Sequence, residues 1–146
     1  MTQMVVRNEA FEDVVRLSFA RQGLMGHLGA ELADVSPGQV RIEVPFRSEL
    51  TQQHGLFHAG VTTSVVDSAC GYAALTLMPP GSEVLSVEFK INLLAPARGE
   101  RLVALGRVLR SGRTITVCQG DVHSVGTEGR THCATMVATM MRVQDG

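Results

Sequence analysis

Residues 58–78, HAGVTTSVVDSACGYAALTLM, constrain the fold of this chain more than any other stretch. Small and apolar side chains such as Val61, Val65, Val66, Ala69, Ala73 and Leu75 fall around the whole circumference of a helix. A helix that is apolar all round is a buried one. Thr62, Thr63, Ser64, Ser68 and Gly71 interrupt the run too often for a membrane span, which needs about twenty strongly apolar residues. The spacing therefore predicts a core helix that Pro79 and Pro80 end. Between Ala59 and Met78 the one charged side chain is Asp67. An unpaired carboxylate inside a protein is costly, so Asp67 is expected in a cleft, firmly partnered, or kept for chemistry.

The flanking pattern supplies the partner layer. Residues 8–22 repeat at helical spacing, with Asn8 as N-cap and Phe11, Val14, Val15, Leu17, Ser18 and Phe19 as the apolar stripe; Gly23 and Gly26 end this helix. Residues 29–35 and 39–44 flank Ser36-Pro37-Gly38 and read as a hairpin. A polar loop over 48–57 leads to the buried helix. After Gly81, Leu85, Val87, Phe89, Ile91 and Leu93 alternate with Ser86, Glu88, Lys90 and Asn92, the signature of a strand. Residues 101–110 and 114–125 form a hairpin about Ser111-Gly112-Arg113, and 131–143 form the last strand. Successive hairpins make the sheet antiparallel, and one sheet that covers a long helix must curl around it. The last strand is apolar on both faces, with Cys133, Val137 and Met141 opposite Ala134, Met136, Ala138 and Met140. A second covered face points to a homo-oligomer, unless the 8–22 helix covers it.

The chain has 146 residues and is expected to be one domain, 1–146, with its core over about 29–143. A net charge of −1 gives no electrostatic reason to expect nucleic acid or a membrane surface as partner. Acidic residues stand where a secretory signal would need an apolar run, and Cys70, Cys118 and Cys133 form no CxxC pair. Reduced, buried thiols in a cytoplasmic protein are expected.

Two stretches, HGLFHAGVTTSVVDSACGYAA and SVEFKINLLAPARGERLVALGRVLRSGRT, resemble the PaaI-type acyl-CoA thioesterases of the hotdog-fold superfamily. The resemblance runs over about 29–143. It implies an α+β hotdog fold: a curled antiparallel sheet of about six strands around the long helix, with a short N-terminal helix outside it. It also implies dimers, or dimers of dimers up to a homotetramer, with active sites where subunits meet. The implied reaction is hydrolysis of a CoA thioester to acid and CoA. Coenzyme A enters as part of the substrate, with no separate cofactor and no metal.

The resemblance assigns roles residue by residue. Asp67 matches the carboxylate that acts as general base or nucleophile; the bland reading is a carboxylate that caps backbone or pairs with arginine. Ala59 and Gly60 open the helix, where outward N–H groups suit an oxyanion; relatives usually carry Gly where Ala59 stands. Gly60 is otherwise explained by close packing. Gln52 sits where relatives often have Asn, and Gln53 competes with it. His58 is read as fixing the loop-to-helix turn by side-chain hydrogen bonds. Ser86 matches a hydroxyl that helps position water. Arg110, Ser111, Gly112, Arg113 and Thr114, with Arg98, suit the phosphates of CoA, or else are a solubilising turn and a surface arginine. Two alternatives stay open: a non-catalytic acyl-CoA-binding protein, and a hydratase or dehydratase of the same fold. The latter needs a second acid or base that the helix lacks.

Overall fold

A computed structural model describes residues 4–144, so the first three and last two residues of the 1–146 span lie outside the described residues. Two short helices, α1 (Phe11–Arg21) and α2 (Gly23–Leu28), precede strands β1 (Glu31–Ser36) and β2 (Gln39–Pro45). A 3₁₀ turn (Ser48–Leu50) leads to the long helix α3 (Ala59–Leu75). Strands β3 (Ser82–Leu93), β4 (Arg101–Ser111), β5 (Ile115–Gly126) and β6 (Gly129–Gln144) complete the chain. The six strands form one antiparallel sheet in the order β1-β2-β4-β5-β6-β3. The chain leaves β2, runs through α3, and places β3 at the opposite edge before β4 returns beside β2. The sheet curls around α3, which touches β2, β3, β4, β5 and β6; this is the hotdog arrangement. No helix of the described residues is long and apolar enough to cross a membrane.

α3 is 17 residues, about 25 Å at 1.5 Å per residue, shorter than the 58–78 stretch because residues 76–78 turn away before the prolines. Inner-face residues alternate along β2 and β5, where Val40, Ile42 and Val44, then Cys118 and Val122 are buried; in β4 Val103 is buried as well as inner-face Leu102 and Ala104. Each buried valine or leucine contributes about 1.5–3 kcal/mol relative to exposure. The closest approach of helix to sheet is made by two paired glycines, Gly106 of β4 and Gly120 of β5. A Cβ on Gly106 would lie 2.4 Å from the Ala69 carbonyl, and one on Gly120 would lie 2.4 Å from Val66 Cγ2. The hairpin tip between β1 and β2 is tied to the far end of α3: the Gly38 N–H donates to Thr76 Oγ1 at 2.8 Å, and that hydroxyl donates to Ala73 O.

Four sequence expectations are corrected. Gly23 and Gly26 do not end the N-terminal helix; they lie inside α2, and the break is the extended backbone at Gln22. Asn8 does not cap it: the N-cap is Ala10, whose N–H bonds to Asn8 Oδ1, and Leu17 faces solvent. β3 does not keep one apolar face. Val87 has no partner between Ser86↔Met140 and Glu88↔Thr139, and this bulge turns Ser86 onto the helix side with Met140 while Leu85 pairs outward with Met141. In β6 the register shift opposite Val122 and His123 makes Cys133 the extra residue, and it is buried, not outward with Val137. The outer face of β6 is thus mixed: exposed Val137 lies between Thr135 and Thr139. α1 does not cover it but packs against α3 and β1.

Burial governs the thiols. It pushes Cys118 up to about 12, and it raises Cys70 further, helped by Cys118, Asp67 and Asp121; Cys133 is raised as well. A raised folded-state pKa stabilises the fold below the unfolded value, here 9.0, and that contribution is lost as pH climbs above it. Urea unfolding under reducing conditions should show stability falling from about pH 9 upwards. The native protein should leave Ellman's reagent unconsumed at pH 8; prompt reaction would contradict the burial. Gly106→Ala should cost about 1–3 kcal/mol or more, because the obstacle is helix backbone, whereas Gly120→Ala meets side-chain atoms and should cost less. Urea midpoints of the two variants make the comparison.

Candidate active site

Asp67 is half-buried on the side of α3 that turns towards β3. The β3 bulge delivers Ser86 to it: Ser86 Oγ donates to Asp67 Oδ1 at 2.6 Å. Among the described residues Asp67 is in no ion pair, so its other oxygen is held by no cation. It borders a cavity of about 480 Å³ that also takes in Gly71, Tyr72, Val84 and Met140. α1 closes the cavity with a polar seam. Gln22 Nε2 donates to the Tyr72 hydroxyl at 2.9 Å, Ser18 Oγ lies 3.2 Å from that hydroxyl, and Ser68 donates to Gln22 Oε1 at 3.0 Å. Sequence reasoning missed Ser18 and Gln22. Ser18 reads as part of the apolar stripe and Gln22 as the end of the helix, so neither carries a signal of this role.

The start of α3 is built by the loop before it. Phe57 and His58 are held through Ala97 O and Leu50 O. His58 is the N-cap, and its Nδ1 accepts from the Gly60 N–H at 2.7 Å. That places the ring proton of a neutral His58 on Nε2. It also explains Gly60: a Cβ there would lie 2.9 Å from His58 Nδ1. Val61 and Thr62 both donate to His58 O. Of the first four helix amides, Ala59 N–H is the one without a protein partner among the described residues. The expected pair of free amides is therefore reduced to one.

Ala59 borders a second cavity, about 410 Å³, with Gln52, Phe57, Thr62 and the segment 93–97. Gln52 Oε1 is taken by the His54 N–H and, at 3.4 Å, the Leu56 N–H, which leaves its amide N–H₂ as the available group. Gln53 is exposed and borders neither cavity. The structure thus groups the candidates into two half-sites. Asp67 and Ser86 form one; Ala59 and Gln52 form the other. Eight residues of helix, about 12 Å, separate them, too far to grip one carbonyl.

The basic residues divide in the same way. Arg98 follows the end of β3, beside the Ala59 cavity, whereas Arg110, Ser111, Gly112, Arg113 and Thr114 lie at the opposite end of the sheet. Arg98, Arg110 and Arg113 are exposed and in no ion pair among the described residues. Between the half-sites runs β3, an edge strand on which Leu85, Val87, Phe89 and Leu93, with the adjoining Leu94, are 41–56% exposed.

Comparison with known proteins adds the following. The model of the thioesterase superfamily matches residues 54–130. The crystal structure of a thioesterase family protein from Silicibacter pomeroyi superposes with a TM-score of 0.91 at 44% identity, covering 92% of this chain and 99% of that one. The PaaI protein of the Escherichia coli phenylacetic acid degradation operon has the same fold, with a TM-score of 0.82 at 17% identity over 94% of this chain and 96% of that one. Acyl-coenzyme A thioesterase 13 from Homo sapiens is 31% identical over 97 residues, 66% of this chain and 69% of that protein.

His58→Ala should cost about 1 kcal/mol of stability through the lost cap, and Gly60→Ala should cost a similar amount by displacing the same ring. Because one hydrogen bond is at stake, the double variant should be little worse than either single one. Additive losses in thermal unfolding would show that the two residues act separately.

Proposed function

We propose that this chain, which belongs to the thioesterase superfamily, cleaves acyl-CoA to free acid and CoA at a site shared by two copies of the chain. The observation that carries this reading is Asp67: a carboxylate without a cation partner, on an otherwise uncharged helix, aimed by Ser86 into a cavity large enough for an acyl group.

Ser86 occupies one carboxylate oxygen, and the other takes the proton of an attacking water or attacks the carbonyl itself. In the water route a C–O bond forms as the water proton passes to Asp67. Negative charge gathers on the former carbonyl oxygen. The C–S bond then breaks, and the CoA thiolate leaves with a proton. The oxyanion needs donors set in advance, and the unpartnered Ala59 N–H and the Gln52 amide are suited to it. His58 is a positioning residue here, because it holds the helix start that presents Ala59.

Those donors sit about 12 Å from the Asp67 of the same chain, so they serve the Asp67 of another. An antiparallel pairing of two copies along β3 meets this need. It covers the apolar edge, which an isolated chain would expose as a template for aggregation. It brings the Leu93 end of one β3, with Ala59 and Gln52, to the Ser86 end of the other. It also brings Arg98 of one copy to the same end as the 110–114 turn of the other, where guanidinium groups suit the phosphates of CoA.

Asp67→Asn should lose about 10²–10⁴ in kcat, read as thiol release from acyl-CoA. Ala59→Pro removes the free N–H but suits the first helical position, and the extended His58 (φ −63°, ψ 140°) tolerates a following proline. It should fold and still lose about 10²–10³ in kcat. Mixing the two inactive variants after subunit exchange should restore activity, because each mixed pair has one intact site. Silence of the mixture, with exchange confirmed, would leave the shared site without support.

A further inference from the structure

α3 contains a glycine that its packing does not require. A glycine inside a helix weakens it relative to alanine, so it needs a reason. At Gly106 and Gly120 the reason is the helix seat, and at Gly60 it is the His58 ring. Gly71 has no such obstacle. A Cβ there would meet Val84 Cγ1 at 3.9 Å and Met140 Sδ at 4.0 Å, both ordinary contacts. Alanine would therefore fit, and the helix would be firmer with it. The missing side chain instead leaves space. Gly71 borders the same cavity as Asp67 and stands four residues later, about 6 Å further along the same face.

Resting on the hydrolase reading above, we infer that Gly71 sets how large an acyl group the site accepts. The absent side chain makes the room for an acyl group that is bulky beyond its first few carbons. Its neighbours suit that task. Met140 is an adaptable wall, and Val84 adds an apolar one. Opposite, Tyr72 is held in place through Ser18 and Gln22, so this boundary does not retreat. A side chain at position 71 would intrude on the distal part of the acyl group, while the thioester lies one turn away beside Asp67. The penalty should therefore grow with the acyl group and with the residue introduced.

The test compares wild type, Gly71→Ala and Gly71→Val on acetyl-, octanoyl- and phenylacetyl-CoA, with thiol release giving kcat/KM. The ratio of phenylacetyl- to acetyl-CoA should fall about tenfold or more in Gly71→Val, with Gly71→Ala in between. Gly71→Ala should unfold at the wild-type temperature or slightly above it, so it carries the test should the valine variant fail to fold. A wild type that cleaves acetyl-CoA but not phenylacetyl-CoA overturns the inference. So do variants that lose both substrates by one factor, or neither. A wild type inert on every thioester removes the hydrolase reading itself, a result distinct from an active enzyme with an unchanged ratio.

Discussion

The structure depends on how closely α3 lies on the sheet. Gly106 and Gly120, paired across β4 and β5, present bare backbone to Val66, Ala69 and Cys70. With a side chain at Gly106 the helix would have to lift, and at Gly120 Val66 and Cys70 would have to move. The seat lies immediately beside Asp67 in sequence. Once Val66, Ala69 and Cys70 face the glycines, Asp67 and Gly71 are rotated to the side, towards β3 and β6. The packing contact and the orientation of the carboxylate are therefore one constraint.

A large part of this was legible in the chain. The apolar circumference of 58–78 marks the buried helix, and the isolation of Asp67 marks the residue to watch. The hairpins follow from their turns. What stayed hidden has physical causes. Residues 85–93 alternate without interruption, so no compositional mark betrays the bulge at Val87; yet that bulge moves Ser86 to the inner face and turns Leu85 out. The same holds for Cys133 in β6. Gly106 and Gly120 reveal their purpose only when strand register pairs them. That His58 fixes the turn into the helix by a side-chain hydrogen bond was legible; that its partner is the Gly60 amide depends on a rotamer, which spacing does not encode.

The candidate site was legible as a set of residues but not as an arrangement. Sequence places Ala59 and Asp67 within ten positions of each other, which invites a picture of one pocket. A rigid helix makes those positions a fixed separation, and the two open into different cavities at opposite ends of β3. Chain proximity here keeps groups apart, and the edge strand between them is the element through which a second copy would reunite them.

α1 is fastened to the rest by buried Val15, by half-buried Phe11, Val14 and Phe19 packed on the core, and by a polar seam to Tyr72 and Ser68. Only the polar seam can be rewritten without repacking the core, because its hydroxyls and amide border the cavity. Part of one wall of the Asp67 cavity is therefore carried by a few polar side chains, separable from the glycine-seated helix they face. Changes at Ser18 and Gln22 alone would therefore reshape what the cavity accepts, while the machinery behind it stays constant.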